Sequence, residues 1–159
     1  MLYEPKMPLV AQPPLEIERK WLVSLDRLPE LPGVGTEISQ GYFDIYRVRD
    51  AGGYRYVTIK SGCGLVRTEI EVHLTDADFQ KLWALVEAML TKTRYVIPCG
   101  DYDAELDVYH DSLTGLVTVE VEFPSVEEAE SFQAPSWFGE DVTLDERYTN
   151  YSLAWEGLP

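Results

Sequence analysis

Cysteine and histidine are scarce in this sequence, which has only two of each among 159 residues. Cys63 and Cys99 lie far apart and form neither a CxxC motif nor another spacing typical of metal ligands. The sequence therefore predicts two free thiols, as is usual in a cytoplasmic protein, rather than a disulfide framework. His73 and His110 match no catalytic pattern, and we expect each to be a polar residue at the end of a strand.

Long apolar runs are also missing. No segment approaches the roughly 20 apolar residues that a membrane helix needs, and the N-terminus lacks the cationic start and apolar stretch of a signal peptide. Residues 1–14 are proline-rich and without periodicity, so we expect a flexible tail. Since 45% of the residues are apolar, the chain can bury a core. Residues 15–157 suit a single cytoplasmic domain with no membrane partner.

Positive charge is the third scarcity. The chain has 13 Lys and Arg against 28 Asp and Glu, which gives a net charge of -15. Nucleic acid would repel so acidic a protein, and no nucleic-acid partner is expected. The few cations are therefore informative, because eight of the 13 lie in short patterns instead of being scattered. These eight are Lys20, Arg47, Arg49, Lys60, Arg67, Lys92, Arg94 and Arg147.

Alternation of polar and apolar residues is the dominant pattern in the chain. It predicts strands over residues 15–23, 41–49, 54–60, 65–74, 92–97, 104–109 and 116–123, with a short addition at 141–144. Gly52 and Gly53 predict a hairpin turn. Helical spacing after Thr75, a capping box at Ser125 and a terminal segment near Asn150 predict three helices. The fold class is therefore α+β, with a largely antiparallel sheet or barrel.

One face of the predicted strands is strongly charged, because side chains alternate between the two faces of a strand. The acidic members of this face are Glu16, Glu18, Glu69, Glu71, Glu105, Asp107, Glu120 and Glu122. An antiparallel sheet would turn this face to solvent. A closed barrel would turn it inward around a wet lumen, where the charges pair with each other, with metal or with a ligand. The pattern alone leaves both structures open.

An inward charged face would suit a polyphosphate bound together with a divalent metal. The planar fork of arginine binds two phosphate oxygens and remains charged, and lysine adds point charges. Carboxylates are oxygen ligands of the kind that Mg²⁺ and Mn²⁺ prefer. Metal and arginine neutralise charge on transferring phosphoryl oxygens, and a carboxylate can activate water.

Short motifs follow one another along these strands. EIERK at residues 16–20 has the form ExExK, and it is followed by YRVR at 46–49, TIK at 58–60, RTEIE at 67–71, KTR at 92–94, ELDVY at 105–109, VEVEF at 119–123 and DVTLDERYTNYSLA at 141–154. In this order the set resembles the CYTH superfamily, the triphosphate tunnel metalloenzymes, and is most similar to its short bacterial members. The resemblance covers about residues 15–155.

The resemblance implies a closed antiparallel barrel of about eight strands, with a few flanking helices, whose charged tunnel binds a triphosphate together with Mg²⁺ or Mn²⁺. The eight cations named above would hold phosphate oxygens. Metal would be bound by Glu16, Glu18, Glu120 and Glu122. Glu69 and Glu71 would bind a second metal or orient the basic residues.

The resemblance also implies which residues carry the reaction. Glu18 would orient or activate the attacking water, and Lys92 is the second predicted catalytic residue. Asp107 and Asp145 are weaker candidates. The segment from Thr149 would plug or flank one tunnel mouth.

The predicted function is metal-dependent hydrolysis of inorganic tripolyphosphate to pyrophosphate and phosphate. Three alternatives within the superfamily act on an organic triphosphate: adenylate cyclase, thiamine triphosphatase and nucleoside triphosphatase. Outside the enzymes, the alternative is a polyphosphate- or nucleotide-binding module without turnover. The sequence does not decide between a monomer and a homodimer. Arg19 is out of step with its neighbours, so we expect a surface cation that faces away from the tunnel and can be lost cheaply.

Overall fold

The computed structural model describes residues 15–62 and 64–159. Its strands are β1 (Leu15–Leu22), β2 (Thr36–Phe43), β3 (Tyr46–Ala51), β4 (Tyr54–Ser61), β5 (Val66–His73), β6 (Ala88–Cys99), β7 (Tyr102–Tyr109) and β8 (Val117–Glu122). Its α-helices are α1 (Asp76–Trp83), α2 (Val126–Ser131) and α3 (Asn150–Glu156), and short 3₁₀ turns lie at Leu25–Arg27, Asp111–Leu113 and Glu146–Tyr148. The predicted N-terminal tail and the predicted free thiol of Cys63 lie outside the described residues. Cys99 is a buried free thiol.

The eight strands close into an antiparallel barrel in the order β1-β5-β4-β3-β2-β6-β7-β8. Strand β1 closes it by dividing its length between two partners. Leu15–Ile17 pair with β5, and the following residues from Glu18 to Leu22 pair with β8. The predicted α+β barrel is therefore confirmed, and the charged face is turned inward.

The hydrophobic core lies outside the barrel wall. The outward side chains of β1, β7 and β8 pack against α2 and the segment that follows it. Trp21 is almost fully buried there, and its ring centroid lies 4.9 Å from that of Phe138. Burial of this apolar face stabilises the fold, and the lumen stays free for polar groups.

Several element boundaries differ from the sequence prediction. Strand β6 is longer at both ends than the expected 92–97, and β7 begins at Tyr102 instead of residue 104. The strand expected over residues 41–49 is two strands, because Asp44, at φ 48°, and Ile45 form a tight two-residue turn. The inward positions are even-numbered before this turn and odd-numbered after it, since Tyr42 pairs with Arg47. The helical spacing of apolar residues after Thr75 continues to Met89, but helix α1 ends at Trp83 because Met89 pairs with Gly41 in the β6–β2 ladder. The strand expected at 141–144 is reduced to a single bridge between Trp21 and Asp141.

The local signals for turns and helix starts are confirmed. Gly52 and Gly53 have φ angles of 60° and 96°, as the tight β3–β4 turn requires. The hydroxyls of Thr75 and Ser125 accept hydrogen bonds from the third backbone N–H after them, at 3.2 Å in each case. Thr149 caps α3 in the same way. In the described residues, no helix has the length and apolarity that spanning a membrane would require.

Helix α3 covers one end of the barrel. Leu153 is buried in a cluster with Leu90, Tyr109 and Leu113. The Tyr109 hydroxyl donates a hydrogen bond to Asn150 Oδ1 at 2.7 Å. We call this end the α3 mouth, and the opposite end, at the β6–β7 turn, the β6–β7 mouth.

Candidate active site

A cavity of about 1390 Å³ occupies the barrel lumen. It extends from Asp101 and Asp103 at the β6–β7 mouth to Asp44 and the first residues of α3 at the α3 mouth. Most of the predicted site residues line it, namely Glu16, Glu18, Lys20, Arg47, Arg49, Lys60, Arg67, Glu69, Glu71, Arg94, Glu120 and Glu122. Six of the thirteen cations of this acidic chain therefore face one space.

Two predicted phosphate ligands do not line the cavity. Lys92 is completely buried beneath its wall, and its Nζ donates to Asp107 Oδ2 at 2.6 Å. Arg147 is 66% exposed on a 3₁₀ turn and forms a salt bridge of 2.6 Å with Asp145. The expectation that Arg147 faces the lumen is corrected, because the turn directs its side chain to solvent. Asp145 itself lies at the α3 mouth.

Arg49 is buried between neutral partners. Its Nε donates to Gln40 Oε1 and its Nη1 to the Tyr56 hydroxyl, both at 3.0 Å. In residues 15–62 and 64–159 no carboxylate lies within salt-bridge distance of this guanidinium. A buried cation without a counter-ion is unfavourable, and a bound anion would relieve that cost.

Two further arginines have unused hydrogen-bond donors. Arg47 donates through Nη2 to Thr58 at 3.1 Å and to Glu69 at 3.3 Å, and Arg67 pairs with Glu18. The Nε atoms of both arginines are buried and have no partner among the described residues. Orphaned donors of this kind are rare in folded proteins and point to a missing acceptor, such as a ligand oxygen.

The other lumenal charges neutralise each other. Lys60 Nζ lies between Glu16 at 2.9 Å and Glu69 at 2.6 Å. Lys20 pairs with Glu120 at 2.7 Å. Arg94 contacts Asp107 at 2.7 Å and Glu120 at 3.1 Å, and it also pairs with Glu105. This network holds the lumen together without a ligand.

Burial separates the carboxylates into two classes. It raises the pKa of Glu16 to about 7, and it also raises that of Glu18, with a further contribution from the charge of Glu120. Burial acts on Glu69 and Glu120 in the same direction, but lysine and arginine neighbours outweigh it. The pKa of Glu69 falls to about 2, and that of Glu120 falls well below its usual value. Burial also raises the pKa of Glu105. Glu16, Glu18 and Glu105 are therefore the cavity carboxylates whose charge is incompletely compensated.

The donor set of the lumen fits Mg²⁺ or Mn²⁺ chemically, since it consists of carboxylate oxygens. Glu18 lies directly opposite Glu122 in the β1–β8 ladder, and Lys20 lies opposite Glu120. Within the described ranges no three acidic, Cys or His side chains are close enough to form a ready metal-ligand group. The carboxylates point to Lys and Arg instead, so binding a cation would require them to exchange those partners.

Sequence reasoning missed the neutral residues that support the cations. Gln40 and Tyr42 on β2, and Tyr56 and Thr58 on β4, hold or flank Arg47 and Arg49. The inward members of β2 alternate regularly from Ile38. The predicted strand begins at residue 41, and for this reason it does not include Gln40. Tyr42 and Tyr56 lie within predicted strands, but a search for charged residues does not select uncharged side chains.

Arg19 faces away from the lumen, as expected, but it is not a free surface cation. Its Nη2 and Nε donate to Asp141 Oδ2 at 2.6 and 3.2 Å, and its Nη1 donates to the Ala129 carbonyl at 2.8 Å. The guanidinium also lies 4.7 Å from the centre of the Trp21 ring. Arg19 therefore ties the C-terminal segment to β1.

The chain is similar to proteins named inorganic triphosphatase. One from Nitrosomonas europaea is 41% identical in an alignment of 148 residues that covers 87% of this chain and 96% of that protein. Another, from Acetivibrio thermocellus, is 32% identical in an alignment of 146 residues that covers 87% of this chain and 92% of that protein. No family model matches the sequence.

A solved structure shares the architecture. The crystal structure of the inorganic triphosphatase NE1496 superposes with a TM-score of 0.67 at 35% identity, covering 91% of this chain and 97% of that chain. The relatives are thus matched over nearly their whole length. The closed barrel with its charged lumen and this similarity together show that the chain belongs to the CYTH superfamily, in the same family as the inorganic triphosphatases.

Proposed function

We propose that the protein is a cytoplasmic enzyme that hydrolyses inorganic tripolyphosphate to pyrophosphate and phosphate, with Mg²⁺ or Mn²⁺ as cofactor. The observation that carries the proposal is the concentration of six cations in the lumen of a chain whose net charge is -15. A polyanion gains little from the surface of such a protein, but the local potential of the cavity attracts it. The names of the relatives support the same substrate.

The substrate would be held first by the arginines that keep a donor without an acidic partner. Arg49 has neutral partners only, and the Nε atoms of Arg47 and Arg67 have none among the described residues. Lys20, Lys60 and Arg94 would exchange a glutamate oxygen for a phosphate oxygen as the substrate enters. Bidentate arginine contacts would orient the phosphates.

Glu16, Glu18, Glu120 and Glu122 would hold the metal, with Glu69 and Glu71 as candidates for a second ion. A bound divalent ion would neutralise charge on the phosphate oxygens and lower the pKa of water. Substrate binding would free the carboxylates for the metal. If Lys20 and Lys60 turned to phosphate, they would release Glu120 and Glu16, whose oxygens would then be free to hold the metal.

Glu18 and Lys92 are the proposed catalytic residues. The carboxylate of Glu18, whose pKa is raised by burial, would accept a proton from the attacking water as the water oxygen bonds to phosphorus. The bond from that phosphorus to the bridging oxygen breaks, and pyrophosphate leaves. Lys92 has a pKa of about 7, lowered by burial, so it can donate a proton to the leaving oxygen. Because Lys92 lies beneath the cavity wall in the empty protein, its ammonium would have to leave Asp107 and enter the lumen to reach that oxygen.

The test measures phosphate released from tripolyphosphate with and without Mg²⁺ or Mn²⁺. We expect metal-dependent release by the wild type and a loss of at least about 100-fold in Glu18→Gln. Glu127→Gln is the matched control, because Glu127 lies in the first turn of α2, away from the lumen. Absence of metal-dependent release above the Glu18→Gln level would refute the proposal. Parallel reactions with ATP, thiamine triphosphate and cyclic AMP detection would identify an organic substrate, and calorimetric binding without release would identify a binding module.

A further inference from the structure

Gln40 is a fully buried amide in the wall of the lumen. It lies on β2, directly opposite Arg49 in the β2–β3 ladder and two residues from Tyr42 on the same face. Its side chain contacts both neighbours: Arg49 Nε lies 3.0 Å from one end of the amide, and the Tyr42 hydroxyl lies 2.7 Å from the other. Arg49 and Tyr42 both line the cavity, whereas Gln40 does not.

The chemistry of arginine determines which way the amide points. A guanidinium can only donate hydrogen bonds, so the amide atom that faces Arg49 must be the oxygen. The amide nitrogen therefore faces Tyr42, and because this nitrogen only donates, the Tyr42 oxygen must accept. The proton of the Tyr42 hydroxyl is consequently directed away from Gln40. In the described part of the chain no acceptor is found for it.

We propose that Gln40 is a positioning residue that holds the Arg49 guanidinium and at the same time aims the Tyr42 hydroxyl proton at a phosphate oxygen of the bound substrate. This inference rests on the proposed function, since it requires a triphosphate in the lumen. The charge of Arg49 thus fixes the orientation of the Gln40 amide, and the amide fixes the orientation of the Tyr42 hydroxyl. The substrate supplies the acceptor that the Tyr42 proton lacks.

The surroundings keep Tyr42 able to donate. Burial raises its pKa above the ordinary value, so the hydroxyl stays protonated. The Tyr42 ring packs edge-on against Tyr151 of α3, with centroids 5.5 Å apart, which restrains the ring itself. With the ring restrained, the hydrogen bond from Gln40 determines the direction of the Tyr42 O–H bond.

Gln40→Glu tests this direction. The glutamate still accepts from Arg49, but its other oxygen now accepts from Tyr42 as well, so the hydroxyl proton turns away from the substrate. Tyr42→Phe removes the proton altogether. The double variant Gln40→Glu/Tyr42→Phe completes the cycle, because in it the glutamate can act only through Arg49 and its own charge. Gln80→Glu is the control for the added charge, since Gln80 is exposed on α1.

We expect Gln40→Glu and Tyr42→Phe each to lower kcat for tripolyphosphate about 10- to 100-fold, as loss of one oriented donor does, while Gln80→Glu stays within about twofold of the wild type. The effect of Gln40→Glu on kcat should shrink to about threefold or less in the Tyr42→Phe background, whereas the rise in KM caused by the new ion pair with Arg49 should persist there. A kcat of Gln40→Glu within about twofold of the wild type, or losses that multiply in the double variant, would overturn the proposal.

A second variant, Gln40→Met, tests the proposal if Gln40→Glu fails to fold. If thermal melting shows that Gln40→Glu is unfolded, Gln40→Met removes both hydrogen bonds without adding charge, and the same kcat comparison applies with and without the Tyr42→Phe substitution. If the wild type does not hydrolyse tripolyphosphate at all, the proposed function fails separately. Calorimetric binding of tripolyphosphate then decides: weaker binding by both Gln40→Met and Tyr42→Phe supports the positioning role, and unchanged binding by either contradicts it.

Discussion

Replacing Arg19 by alanine is expected to destabilise the fold and leave the lumen intact. The substitution removes two hydrogen bonds to Asp141, one to the Ala129 carbonyl and the contact with the Trp21 ring. These contacts pin the segment that follows β8 onto the outside of β1, beside the single bridge between Trp21 and Asp141. None of them faces the cavity.

The magnitude follows from the exposure of the partners. Hydrogen bonds to a charged group contribute roughly 1.5–3 kcal/mol, and a cation–π contact adds about 0.5–1 kcal/mol. The Arg19 side chain is 22% exposed and that of Asp141 is 37% exposed, so Asp141 can be rehydrated after the loss. We therefore expect the free energy of unfolding to fall by about 2 kcal/mol, which lowers Tm by about 4–8 °C for a domain of this size.

The assay is denaturant unfolding of Arg19→Ala beside Arg27→Ala, whose side chain is exposed in the first 3₁₀ turn. Arg27→Ala should unfold within about 0.5 kcal/mol of the wild type. The rate of tripolyphosphate hydrolysis by folded Arg19→Ala should stay within about twofold of the wild type. An unfolding free energy equal to that of Arg27→Ala would refute the reasoning, and so would a large loss of kcat in a protein that is still folded.

Three further outcomes are expected. Tripolyphosphate with Mg²⁺ at about 100 times its Kd should stabilise the fold by about 2.7 kcal/mol, and an unchanged Tm in a thermal melt would count against a lumenal site. Arg49→Met should raise KM for tripolyphosphate at least about tenfold, whereas Arg147→Ala, which changes an exposed pair, should leave KM within about twofold. Lys92 has a pKa of about 7 in the folded protein and 10.5 in the unfolded chain. Between these pH values only the unfolded chain keeps the proton, so the free energy of unfolding rises with pH, by up to about 1.4 kcal/mol per pH unit. Lys92→Met should remove that slope from denaturant unfolding curves, and an unchanged slope would contradict the lowered pKa.

Alternation along single strands was sufficient to predict which residues share the lumen. Glu16, Glu18 and Lys20 face it together because side chains two apart lie on one side of a strand. Alternation does not show, however, whether an inward side chain reaches the cavity or is buried in the barrel wall. Lys92 and Arg94 share a face of β6, yet Arg94 lines the cavity and Lys92 is sealed beneath it.

The partners across the barrel could not be predicted in the same way. Lys60 lies between Glu16 and Glu69 because β1 and β5 meet where the barrel closes. That contact depends on barrel closure and on the register between strands, and the sequence of one strand contains no information on either. The contact between Arg19 and Asp141 could not be predicted for the same reason, since the two residues are 122 positions apart and Asp141 belongs to a segment outside the barrel.

The order of the strands gives the lumen two different walls. In the closed ring β1-β5-β4-β3-β2-β6-β7-β8, strand β3 lies four places from β8, which is diametrically opposite. Arg47 and Arg49 of β3 face neutral neighbours in both ladders: Tyr42 and Gln40 on β2, and Thr58 and Tyr56 on β4. Lys20 and Glu120, by contrast, are paired directly across the β1–β8 ladder.

This asymmetry explains how one cavity can keep a cation without a counter-ion, Arg49, as well as a wall of carboxylates. If Arg49 lay beside Glu120 or Glu122, it would form an ion pair in the empty protein, as Arg47 does with Glu69, and a phosphate would have to break it. Placed across the barrel, Arg49 keeps its affinity for an anion, and the acidic wall offers oxygen ligands to a cation once its lysines turn to phosphate. A triphosphate that carries a divalent metal has both charges on one ligand, so it can satisfy the two walls together, whereas either component alone satisfies only one.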